Sequence, residues 1–163
     1  MVLPVSLEAL LATRSAAIIA NAVTPREFTG YRRYTWIDRG SYDVIDNPAA
    51  PELVARAVEL IEQHTGERRT YVESRVVRLV PGDYVLAHHD RICDAGIECV
   101  FDLSPAPMPC EVHYRQHGQV FFRMPCVPGS AAIVSRNATV TSNHTYVSKL
   151  HAGEVVRWIG LFA

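Results

Sequence analysis

From Tyr71 to Phe162 the chain reads as a succession of short β-strands divided by turns, and this pattern constrains the fold more than any other feature. Residues 71–80 are rich in Val and other β-formers and stop at Pro81-Gly82-Asp83, a strong turn signal. Residues 85–90 resume the sheet. Further strands are expected at 97–103, 110–114, 120–124, 131–134, 139–141 and 155–162, with Pro, Gly, Asn and Ser between them. Two helices are expected ahead of the strands. Ser6 is a plausible N-cap for an Ala/Leu-rich segment running to about Ala20. Asn47-Pro48 and Pro51 set up a second helix over 52–64, where Leu53, Val54, Val58, Leu60 and Ile61 fall near helical spacing. Gly66 suits a left-handed cap at its end. Residues 24–46 read as irregular, with Tyr31, Tyr34, Trp36 and Tyr42 either packing over the core or forming a wall that faces substrate. Helices first and many short strands after predict a mainly β fold with N-terminal helices, a sandwich or jelly roll.

With 163 residues the expectation is a single domain, 1–70 supporting a β core over 71–163. The formal net charge of -1 gives no electrostatic support to a nucleic-acid or anionic-membrane partner. Cys93, Cys99, Cys110 and Cys126 lack zinc-site or redox spacing, and their apolar neighbours read as those of buried, reduced thiols. The first residues lack a signal-peptide pattern, and the apolar run around Ile18-Ile19 is too short to span a bilayer. A cytoplasmic protein is expected. A homodimer, with a second subunit covering a sheet edge or helix face, is compatible with this size, although no residue pattern specifies it.

The chemistry-bearing residues cluster on this β framework. On a strand, residues i and i+2 share a face, so His88 and Asp90 project together and His89 projects away. Such a pair can chelate a metal if a third ligand comes from another strand. His144 follows Asp90 at a distance of 54 residues, after the strand expected at 139–141. Two His and one carboxylate bind one face of Fe(II) and leave the other open. His151 is the rival for the third position. Glu111 and His113 are a further candidate pair, or else a surface pair on a strand. Arg157 lies in the apolar run Val155-Val156-Arg157-Trp158-Ile159. There it either meets a buried carboxylate or snorkels to solvent.

The stretch from Arg78 to Asp90, the Pro128-Gly129-Ser130-Ala131-Ala132-Ile133-Val134 segment, and His144, Val147, Leu150, Gly153 and Arg157 together resemble the non-haem Fe(II)/2-oxoglutarate-dependent dioxygenases, in their short prolyl-hydroxylase-like branch. The resemblance covers roughly residues 71 to 163. In that pattern the basic residue falls closer to the distal His, and Val155 stands at the matching place. Arg157 is two residues on, facing the same side. Leu79 and Ile159 replace a Tyr and a Ser or Thr often found in the branch.

The resemblance implies a double-stranded β-helix supported by two or three helices. It implies Fe(II) held by His88, Asp90 and His144, with 2-oxoglutarate held by Arg157 and O2 as the third reactant. The activity implied is hydroxylation of an unactivated C–H of a small molecule, an amino acid or natural-product intermediate, as 2-oxoglutarate and O2 become succinate and CO2. Halogenating relatives lack the carboxylate that Asp90 supplies. Two other readings compete: a cupin-like metal-binding protein, and a non-catalytic jelly-roll module that binds small molecules.

Overall fold

The computed structural model describes residues 16–36, 40–86 and 95–163. These hold strands β1 (Ala16–Ile19), β2 (Arg32–Trp36) and β3 (Gly40–Asp46), helix α1 (Pro51–Thr65), and β4 (Tyr71–Leu79) and β5 (Tyr84–Val85). After them come β6 (Ala95–Asp102), β7 (Met108–Gln116), β8 (Gln119–Cys126), β9 (Ala131–Asn137), β10 (Val140–His144) and β11 (Val155–Phe162). The strands pair antiparallel in the order β1-β9-β6-β11-β4-β3-β5-β10-β7-β8, with β2 on the free edge of β3. β3 is the corner. Its residues Asp43–Asp46 pair with β4, and Gly40 and Ser41 pair with β5. The sheet thereby folds back on itself as a jelly roll.

Strand alternation sorts the side chains into two cores. Val77 and Leu79 of β4, Val100 of β6 and Ile159 of β11 face Val85, Val112, Tyr114 and Met124 across the interior. The opposite parity (Val76, Cys99, Phe101, Ile133, Trp158 and Phe162) faces out and is covered by Leu53, Ala57, Leu60 and Ile61 of α1. β11 is buried on both faces, which is why it reads as a continuous apolar run without alternation. α1 starts on Pro51 and ends at Gly66, whose φ of 76° takes the left-handed cap, its N–H bonding Glu62 O at 2.9 Å. Gly40, at φ 102°, lets β3 approach β5: an added Cβ would sit on the Tyr84 carbonyl.

Two expectations need correction. The first helix was expected to reach about Ala20, yet Ala16–Ile19 is an edge strand on β9, where two small buried alanines and two isoleucines suit a flat pairing surface. The rest of that helix lies outside the described residues. The stretch 24–46 is not irregular throughout: β2 and β3 form a hairpin that pairs Tyr34 with Tyr42. Of the two or three supporting helices expected, the described residues hold α1; residues 1–15 lie outside them. Cys99, Cys110 and Cys126 are buried free thiols, as expected; Cys93 lies outside the described residues.

Candidate active site

β10 and β11 lie in opposite halves of the folded sheet, with β5 and β7 flanking β10 and β4 and β6 flanking β11. Alternation along β10 buries Val140, Ser142 and His144 and leaves Thr141 and Asn143 half-buried. Along β11, Arg157 shares its face with Val155 and Ile159, both in the interior core. Two residues from distant parts of the chain meet there. Arg157 Nη1 lies 3.0 Å from His144 Nδ1, and Nη2 donates to the Cys110 carbonyl at 2.6 Å. Arg157 does not snorkel; its exposure is zero.

A buried guanidinium needs a counter-charge. Asp102, cross-strand from Arg157 in the β6–β11 register, places Oδ2 at 3.8 Å from Nε and is equally buried. Sequence reasoning missed Asp102. The signal available was a carboxylate at the end of an apolar strand, opposite in parity to Phe101. His144 is held well below the usual histidine range, first by burial, then by the charges of Arg157 and Arg75. The ring is therefore neutral at pH 7. Arginine can only donate, so Nδ1 accepts and the ring proton rests on Nε2 in this arrangement. Among the described residues Nε2 is buried without a hydrogen-bond partner, whereas Arg157 Nε and Asp102 Oδ2, also without hydrogen bonds, face each other as an ion pair. Buried polar atoms are normally paired, so the unpartnered Nε2 of His144 marks a place built for something else.

The entry to β5 is pinned from two sides. The Asp83 carboxylate accepts from the Val80 N–H at 3.0 Å, the Ser41 hydroxyl at 3.1 Å and the Arg33 fork at 2.5 and 2.7 Å. Gly82 N–H donates to Val147 O at 2.6 Å, and Val147 N–H donates to Asp83 O at 2.9 Å. The turn after β4 is thus tied both to the β2–β3 hairpin and to the loop after His144. Val85 then pairs directly with His144. His88, His89 and Asp90 lie outside the described residues, a few positions further along the same chain segment.

The remaining candidates separate clearly. His151 is exposed in a turn, unlike His144. His113 bonds Glu111 at 3.0 Å on the outward parity of β7, where it lines a groove of about 420 Å³ with Tyr84, Arg115 and Tyr146. Tyr42 is buried in the interior and stacks on Tyr34 at 5.2 Å, whereas Tyr31 covers the Arg78 guanidinium at 4.1 Å on the other side. Burial pushes the Tyr31 hydroxyl up to about 12. Deeper along the interior, Glu98 accepts from Tyr114 Oη at 2.5 Å and from Arg136 Nη1 at 3.0 Å, forming a second buried polar cluster. Among the described residues no cluster of three or more His, Cys, Asp or Glu side chains is set to hold a metal, and no helix is long and apolar enough to cross a membrane.

No protein-family model and no curated protein matches the chain. Solved structures do. A 2OG-Fe(II) oxygenase family oxidoreductase from Burkholderia pseudomallei superposes with a TM-score of 0.71 at 13% identity, over 96% of this chain and 89% of that one. A Pseudomonas putida prolyl-4-hydroxylase gives a TM-score of 0.63 at 14% identity, over 96% of both chains. The non-heme alpha ketoglutarate dependent epimerase SnoN of nogalamycin biosynthesis gives 0.64 at 11%, over 96% of this chain and 82% of its own. At these identities the likeness is one of architecture: the chain has the fold of the 2OG-Fe(II) oxygenases, prolyl hydroxylases among them.

Proposed function

We propose that the protein is an Fe(II)/2-oxoglutarate-dependent dioxygenase that hydroxylates a C–H of a small molecule. The observation that carries this reading is the buried His144–Arg157–Asp102 group. It holds a neutral imidazole with an orphaned nitrogen beside a permanent cation, on the strand paired with the one that leads to His88 and Asp90. These residues fit the implied groups. His88, Asp90 and His144 would hold the metal, and Arg157 the far carboxylate of 2-oxoglutarate. When bound, iron and 2-oxoglutarate together activate O2 for attack on an unactivated C–H.

The chain's own residues do the positioning. Arg157 offers a planar fork to a carboxylate, and Asp102 holds that fork in place from its Nε side. With Arg157 turned to a carboxylate, His144 Nδ1 would be free to carry the ring proton, which would leave Nε2 the lone pair a metal requires. The apolar walls contributed by Val77, Leu79, Val112 and Ile159 exclude water. SnoN supports the view that this fold also accommodates epimerisation, so the product must be identified directly.

The test is anaerobic. Protein supplied with Fe(II) and titrated with 2-oxoglutarate is expected to develop the weak visible charge-transfer band of the chelate, and to form succinate once O2 is admitted. Absence of both, with any pool of candidate substrates, rejects the reading in favour of a cupin-like binder.

A further inference from the structure

The interior contains a cation that the reaction proposed above does not use. Arg75 lies on β4 two residues before Val77 and four before Leu79, so it shares their inward face. It is half-buried, and its cross-strand neighbours are Ile159 on β11 and Asp46 on β3. Asp46 is already engaged, accepting from Arg32 Nη2 at 2.7 Å. Among the described residues Arg75 has no hydrogen-bond or ion-pair partner. Two fully buried arginines on the same face differ: Arg136 is paired with Glu98 at 3.0 Å, and Arg157 faces Asp102 at 3.8 Å. Arg75 also differs in access, since Arg157 has no exposure while Arg75 keeps some. The charge of Arg75 opposes the burial-driven rise of the Tyr42 hydroxyl. The guanidinium therefore shares the interior face with Tyr42, whose ring lies 5.2 Å from that of Tyr34.

A partly desolvated arginine without an acid partner is half of an ion pair. A single planar fork matches one carboxylate bidentately, whereas a phosphate dianion calls for more than one positive charge. We propose that Arg75 anchors the carboxylate of the primary substrate, which makes that substrate a small carboxylic acid whose body packs on Tyr34 and Tyr42. The inference rests on the oxygenase reading and adds the substrate class to it. Arg157 and Arg75 then divide two carboxylates between them: the fully enclosed cation takes the co-substrate, and the accessible one takes the substrate.

Calorimetric titration of the anaerobic protein, saturated with Fe(II) and 2-oxoglutarate, tests this with defined probes: free L-amino acids and benzoate, each compared with its primary amide. The wild-type protein is expected to bind at least one free acid about tenfold or more tightly than the matching amide. Arg75→Gln is expected to remove that preference, Arg75→Lys to restore part of it, and the 2-oxoglutarate affinity read from the visible band to stay within about twofold of wild type in both. If the wild type binds no acid in preference to its amide, or Arg75→Gln keeps the preference, the proposal is overturned. It is also overturned if Arg75→Gln loses the band, since Arg75 would then be the co-substrate anchor. If the wild type itself forms no band, the oxygenase reading has failed instead. The acid–amide comparison on wild type stands even if a variant does not fold.

Discussion

His144 is kept neutral by burial and by two arginine charges, and this has a consequence for stability in the metal-free protein. The unfolded chain takes up a proton at His144 near its ordinary pKa of 6.5, whereas the native protein does not. Below that pH the unfolded state binds more protons, so stability falls as pH drops through 6.5 toward the lower native value. The slope from this one group approaches about 1.4 kcal/mol per pH unit. Urea midpoints taken from about pH 7.5 to pH 5 should fall less steeply for His144→Gln than for wild type. Equal slopes would place the ring in solvent. Arg157→Met removes the counter-charge of a fully buried acid and is expected to destabilise by about 3–5 kcal/mol. Adding Asp102→Leu should recover most of that loss in the double variant. The same Arg157→Met variant should need more 2-oxoglutarate to form the visible band; an unchanged requirement would reassign the anchor.

At the scale of elements, the turn between β4 and β5 sets the register on which the site depends. Asp83 is 2% exposed and takes hydrogen bonds from three places: its own turn, Ser41 on β3, and Arg33 on β2. Asp83→Ala leaves the Val80 N–H without its acceptor and frees the hairpin, for an expected loss of about 2–3 kcal/mol in urea unfolding. Arg33 is more than a third exposed, so its share of that figure is the smaller one. Because Val85 pairs with His144 beyond this turn, the variant should also bind Fe(II) more weakly. Full metal affinity in Asp83→Ala would show that the turn matters for folding only. The elements were partly legible beforehand. The turn at Pro81-Gly82-Asp83, α1 and the strands after Tyr71 follow from local spacing, except the run expected at 85–90, most of which lies outside the described residues. β1 did not, because an Ala/Ile segment becomes a strand only when an edge such as that of β9 is available to receive it.

Across the whole molecule, the folded sheet separates stability from chemistry. Among the described residues, the outer core between α1 and the backs of β4, β6, β9 and β11 contains no candidate site residue, whereas His144 and Arg157 are buried on the inner side. Leu60→Ala empties part of the outer core and should cost about 2–5 kcal/mol. Its affinity for 2-oxoglutarate, measured from the band, should remain that of wild type; a parallel loss would mean that the two cores move as one. The sequence alone determined what depends on neighbours along the chain: strand alternation, turn positions and the shared face of residues two apart. It also indicated that Arg157, in an apolar strand, needs a partner. The partners themselves were decided by tertiary structure. Asp102, Cys110 and His144 reach Arg157 from three other strands, and Arg75 comes inward without an acid of its own. The physical reason is that pairing and register between distant strands are set by burying both faces of the sheet at once, and no local pattern in the chain encodes which charge then lies beside which.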